Sequence, residues 1–268
     1  MPQTERKALF AGSWYPISQK AIGAYLTSTT KKINAIAAMV PHAGWVYSGK
    51  VAGSVFSAMS PANTYIIISP NHTGIGPQVS IYPSGSWETP IGSLLINAEF
   101  VSNLCNEYKL ITPDKTTHSQ EHSIEVQLPF IKYINPNAKI VPITLANYSL
   151  KVCTKLALAI AKTIKEKYAN QKVLILASSD MSHYISAILA KELDTLAIND
   201  MLSFNAAALL KTVEENNISM CGSGPAAVAI TAAKALGAKE AKLIAYDNSG
   251  TATNNTSEVV SYAGMLFL

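Results

Sequence analysis

Three histidines in this chain share one local pattern. His42 follows the apolar run 35–40 across Pro41, and His72 follows the run 65–68 across Ser69-Pro70-Asn71. His183 closes Ser178-Ser179-Asp180-Met181-Ser182-His183, directly after the run 173–177. A short apolar, β-branched run closed by Pro, Gly or Ser reads as a buried strand ending in a tight loop. Each loop then carries an imidazole just past a strand end. Neutral imidazole is the commonest metal ligand, and three of only five histidines stand in this setting. The repeated context favours a metal site, with His42 and His72 as ligands, over loop histidines bonded to backbone.

Other residues could join that chemistry. Cys221 lies in Ser219-Met220-Cys221-Gly222-Ser223-Gly224-Pro225, a Gly-rich turn feeding a helix N-terminus. That setting is expected to lower the thiol pKa and favour thiolate, the form that binds metal or attacks carbon. Cys105 and Cys153 fall within amphipathic helices and read as core packing. Asp180 and His183 are spaced to form an oriented acid–base pair, or else a capping aspartate beside a solvated histidine. Ser178, Ser179 and Ser182 are candidate nucleophiles, although the G-x-S-x-G elbow of a serine hydrolase is missing. His118-Ser119-Gln120-Glu121-His122 matches the H-x-x-E-H pattern of inverted zinc peptidases. Zinc binding there needs His118 and His122 on one helix face, and Pro113 and Thr116-Thr117 place His118 ahead of the helix.

The elements that would position these groups alternate along the chain. Ser18 can cap a helix reaching about Thr29, and Ser48 can cap another through Met59, with Val51, Val55, Phe56 and Met59 on one face. Residues 79–96, broken by Pro83, Gly85, Pro90 and Gly92, suggest short edge strands. Asn97 starts a helix to about Tyr108, residues 112–117 form a polar loop, and 122–130 read as helical. Strands are expected over 139–145, 173–177, 242–246 and 259–267. The clearest amphipathic helix runs from 150 to 168, with further helices near 186–202 and 205–215. Pro225 suits the first turn of a last helix that Gly237 ends. This alternation predicts one α/β domain over residues 1–268, with a central mixed, largely parallel sheet and helices on both faces. Ligands of such sheets bind beyond the carboxyl ends of the strands, where His42, His72, Asp180 and His183 fall.

Composition narrows the function. At 268 residues, 49% apolar and 14% charged, the chain can bury a large core. Its net charge of +4 rests almost wholly on lysine, since Arg6 is the sole arginine. Arginine is the usual fork for phosphates and base edges, so nucleic-acid binding is disfavoured. No apolar run reaches the length of a membrane span, and the first residues lack a signal-peptide core. A cytoplasmic location with no membrane partner is expected, and three scattered cysteines make no disulfide framework.

Together the motifs resemble the Memo family, relatives of the class III extradiol ring-cleaving dioxygenases. The resemblance is carried by Ala11-Gly12-Ser13-Trp14-Tyr15, Pro41-His42-Ala43-Gly44-Trp45, Pro70-Asn71-His72, Glu121-His122-Ser123-Ile124-Glu125, the 178–183 segment, Cys221-Gly222 and Val260-Ser261-Tyr262-Ala263-Gly264. It implies a single α/β domain and a metal held by His42, His72 and Cys221. Asp180, His183 and His122 would then be the catalytic or pocket residues. It implies iron or copper as cofactor and redox chemistry, and in animal members a phosphopeptide adaptor role for which this chain has no arginine fork. A thiolate in place of the relatives' carboxylate ligand shifts preference toward Cu(I), zinc or thiolate-ligated iron. The resulting expectation is a non-haem, metal-dependent redox or oxygenase-like enzyme acting on a small molecule or peptide. Its rivals are a metal-independent Cys/His hydrolase with Cys221 as nucleophile, a non-catalytic binding module, and the zinc peptidase through His118 and His122.

Overall fold

The computed structural model describes residues 5–27 and 31–268. Twelve strands among them join in one sheet. Its centre is four parallel strands in the order Lys139–Leu145, Thr64–Pro70, Val173–Ser178, Ala37–Val40. These are the Val-, Ile-, Leu- and Ala-rich runs, buried along nearly their whole length, as a parallel sheet covered on both faces requires. Val259–Phe267 continues the sheet antiparallel to Ala37–Val40 and pairs in turn with Ala241–Asn248 and His183–Ile185. Beyond Lys139–Leu145 lie the short strands Leu94–Ile96 and Ser86–Trp87, edge pieces expected from the Pro/Gly-broken stretch, and then Glu5–Arg6.

Helices cover both faces. Gly264 turns its absent side chain toward Val51 and Val55 of the Trp45–Ala58 helix. Three residues on, and therefore on the opposite face, Phe267 packs edge-on against Phe204, just after the Ala187–Leu202 helix. Trp45 and Phe56 stack on Phe130 of the Leu128–Ile134 helix, and Leu150–Lys167 packs against Ser223–Ala235.

The structure departs from the sequence reading at element ends. The first helix, capped by Ser18, spans only Gln19–Gly23, and Thr29 lies outside the described residues. The next starts at Trp45 with Gly44 as its N-cap, so Ser48 lies inside it and donates to Ala43 O. The expected 122–130 helix is two, His122–Glu125 and Leu128–Ile134. Pro129, lacking an N–H, cannot continue the first and sits in the opening turn of the second. Glu5–Arg6, His183–Ile185 and the helix Gly250–Thr253 lack a clear periodic signal. Among the described residues no helix is long and apolar enough to cross a membrane.

Candidate metal centre

The central strands deliver His42 and His72 to the same end of the sheet, two residues past Val40 and Pro70. His42 is buried, and its ring is oriented by a chain of polar groups. Ser178 Oγ donates its only proton to Ser123 O (2.7 Å) and accepts from Gln127 Nε2 (3.1 Å), which also donates to Pro41 O. The remaining contact, Ser178 Oγ to His42 Nδ1 at 3.0 Å, must therefore be donated by the imidazole. That fixes the proton on Nδ1 and leaves Nε2 as a bare lone pair, the tautomer a metal needs. Burial, then repulsion from His122 and His72, pushes the His42 pKa well below its ordinary value.

His72 is oriented the same way by Glu121. Its Nδ1 lies 2.9 Å from Glu121 Oε1, and its backbone N–H donates to Oε2 at 2.7 Å. Ser123 N and Oγ also donate to Oε1. Burial alone would raise the Glu121 pKa, but these donors hold it at about 2. An ionised carboxylate only accepts, so the proton of neutral His72 sits on Nδ1 and Nε2 is bare. His122, next in sequence, places its own Nδ1 3.5 Å from Glu121 Oε1. Its ring stacks on His72 at 4.6 Å between centroids, and burial pulls its pKa to about 4. Each of His42, His72 and His122 offers a ligand atom, and these atoms all lie within 4.8 Å of one another.

Cys221 belongs to the same neighbourhood. Its Sγ is 3.1 Å from His42 Nε2, the nitrogen left bare by Ser178. Gly222 permits this approach: a β-carbon there would fall 2.5 Å from Ser178 O, and its N–H donates to Ser179 Oγ. The expected low thiol pKa is not found. Burial, then the nearby Asp180 carboxylate, drives it upward, outweighing the helix N-terminus. Asp180 Oδ1 accepts from the backbone of His42 (2.7 Å) and Ala43 (3.2 Å), fixing the loop that carries His42. Burial raises Asp180 to about 6 despite those bonds. His183 faces the same cavity, held through its backbone N–H to Ser219 Oγ, and its Nδ1 is buried without a partner among the described residues.

A second buried carboxylate secures the Glu121-His122 turn. Glu125 receives Arg6 Nη1 (2.6 Å), Tyr15 Oη (2.7 Å) and Phe10 N (2.8 Å). Arg6 also donates to His118 O and Glu121 O and lies 4.2 Å over the Trp87 ring. The sole arginine is thus an internal clamp. The same network docks the 10–15 segment, so that Trp14 packs on His122 with centroids 4.5 Å apart.

His118 takes no part. It precedes the His122–Glu125 helix, shares no helix face with His122, and its Nε2 lies against Ser80 Oγ at 3.1 Å. The zinc-peptidase reading fails on that geometry. Burial, with Arg6 adding to it, holds the His118 pKa at about 3. As pH falls below about 6.5 the unfolded chain takes a proton here that the folded chain refuses until about 3. Stability therefore drops on acidification, by about 2 kcal/mol at pH 5. His118→Phe keeps a ring against Tyr82 and Trp87. Urea unfolding at pH 7 and pH 5 should show a shallower pH slope for this variant; identical slopes would reject the assignment.

The serine nucleophiles are likewise excluded. Ser178, Ser179 and Ser182 are all buried, and each hydroxyl already donates, to Ser123 O, Asp180 O and Asp194 respectively. Above the histidines opens a cavity of about 660 Å³, walled by Trp14, Tyr47, Tyr184 and Tyr262 beside Asp180 and His183. Gln127, Tyr47 and Tyr184 escaped the sequence reading, as did the orienting roles of Glu121 and Ser178 and the place of Trp14 and Tyr262 in the cavity wall. For Glu121 the available signals were its place beside His122 in the H-x-x-E-H match and at the head of the Glu121-His122-Ser123-Ile124-Glu125 motif.

Comparison with known proteins bears on the fold and the family. A solved structure titled uncharacterized protein JW3007, from Escherichia coli K12, matches 87% of this chain and 100% of its own with TM-score 0.53 at 9% identity, which supports the fold alone. A MEMO1 family protein of Aquifex aeolicus is 37% identical over 98% of this chain and 99% of its own length. One from Archaeoglobus fulgidus is 39% identical, covering 96% and 97%. The family model described as Memo-like protein matches residues 6–266, and the chain belongs to that family.

Proposed function

We propose that this protein is a non-haem, metal-dependent enzyme of redox or oxygenase type, acting on a small molecule, with iron or copper held by His42, His72 and His122. The observation that carries the reading is the orientation of His42 and His72. Each has its proton committed to a protein acceptor and its bare nitrogen left free, with a His122 ligand atom within 4.8 Å of theirs. Imidazole sets suit iron, copper and zinc, and the adjacent Cys221 sulfur, on giving up its proton to a bound ion, would add a soft donor that favours copper. Bound there, such an ion supplies Lewis acidity and one-electron chemistry that side chains lack.

The chain's own groups do the rest. The cavity walls bind and orient the substrate and restrict water. Asp180, with Oδ1 committed to two backbone amides and a pKa raised to about 6, exchanges a proton near neutrality through Oδ2. His183 lines the same cavity and can relay that proton. Element analysis of anaerobically purified protein should show stoichiometric iron or copper. Zinc alone, or no metal after loading with either ion, overturns the redox reading.

The Cys221–His42 contact also has the geometry of a thiol nucleophile and its base. Burial opposes that use, since it drives the thiol pKa up and the imidazole pKa down, leaving a neutral pair. Slow alkylation of Cys221 by iodoacetamide in chelator is expected at neutral pH. Rapid stoichiometric labelling would restore the hydrolase reading.

A further inference from the structure

Tyr184 stands where neither packing nor backbone preference calls for a tyrosine. In the pairing of His183–Ile185 with Val259–Phe267, His183 opposes Val260 and Ile185 opposes Val259, so Tyr184 is the extra residue of a bulge. Its φ is +58°, in the left-handed region that glycine fills most readily at such bulges. Its side chain is 75% exposed, so burial does not offset the unfavourable backbone. The bulge has a consequence for direction. Adjacent residues of a regular strand point to opposite faces, yet His183 and Tyr184 both line the cavity, their rings 5.9 Å apart. Backbone strain of this kind clusters at binding sites, where contacts of the side chain can offset its cost.

The remaining walls say what it touches. Trp14, Tyr47 and Tyr262 present further rings, while among the described residues no lysine or arginine lines the cavity. Its carboxylate, Asp180, disfavours an anionic ligand away from the histidines. The volume of about 660 Å³ suits a small organic molecule. We infer that Tyr184 is a substrate-contacting specificity residue, stacking on an uncharged, planar ring-bearing ligand. This rests on the proposed enzymatic reading only for the word substrate; the binding itself can be measured without turnover.

Three probes of similar size separate the features: benzamide (planar, neutral), benzoate (planar, anionic) and cyclohexanecarboxamide (neutral, not planar). Saturation-transfer NMR titrations would use both metal-loaded and chelator-treated full-length protein, with metal content measured on the same samples. Benzamide is expected to bind most tightly in the chelator-treated protein. Tyr184→Phe should preserve its affinity, and Tyr184→Ala should weaken it about three- to tenfold, the range of one aromatic stacking contact. Tyr184→Gly should weaken binding equally while raising the thermal midpoint, because glycine relieves the bulge. Equal benzamide affinity in wild type and Tyr184→Gly overturns the inference. So does a preference for benzoate or cyclohexanecarboxamide without metal, or no saturable benzamide binding at its solubility limit. If these affinities hold but neither iron nor copper is found, the redox reading fails while the ligand assignment stands.

Discussion

His42→Ala, His72→Ala and His122→Ala are each expected to remove stoichiometric metal from the purified protein. The loss should exceed the roughly 10- to 100-fold that removal of an outer hydrogen-bond partner costs. Glu121→Gln should show that smaller loss. Its amide would set a donor against His72 Nδ1 and Ser123, both of which now donate to an ionised carboxylate. Competition with a calibrated chelator measures all four variants. Cys221→Ser decides the third ligand: retained metal there, with loss in His122→Ala, places it on His122. The opposite pattern would move it to the Cys221 sulfur, which lies 3.1 Å from His42 Nε2. Full metal content in both His72→Ala and His122→Ala would end the assignment.

Glu125→Ala is expected to be strongly destabilising. It leaves Arg6, with a side chain only 5% exposed, as a buried charge without its carboxylate, and strands Tyr15 Oη and Phe10 N. Breaking a buried pair from one side costs about 3–5 kcal/mol, or roughly 6–15 °C in the thermal midpoint of a chain this size. Because Arg6 also binds Glu121 O, and Trp14 packs on His122, metal affinity should fall along with stability. Calorimetry checks the first effect and the chelator titration the second. A midpoint within about 2 °C of wild type would show that the pair is not the clamp described.

Much of the fold was legible in local pattern. The runs 64–70, 139–145 and 173–178 are rich in Ile, Val and Leu, with Pro142 the one interruption, and are closed by Pro, Ser or polar loops, so strand identity and burial followed from composition. Element ends were less legible, because they depend on caps. Gly44 starts a helix that Ser48 was expected to start, and Pro129 divides one helix into two. At the site, His42 and His72 could be read because they follow strands whose ends meet by topology. His122 follows no strand. Its place beside them depends on Arg6 reaching Glu125 and Glu121 O across more than a hundred residues.

The sequence by itself determined the α/β architecture and the strand ends from which His42 and His72 project, since these follow from periodicity and from which residues can be buried in a parallel sheet; the family resemblance came separately, from the ordered motifs. Only the tertiary structure decided which groups share a point in space and in what protonation state. His122 stands with His42 and His72, His118 and the candidate serines turn to other partners, and the half-buried Cys221 has its thiol pKa pushed up rather than down. The reason is physical: hydrogen-bond direction and desolvation depend on neighbours brought together by folding, and spacing along the chain does not encode them.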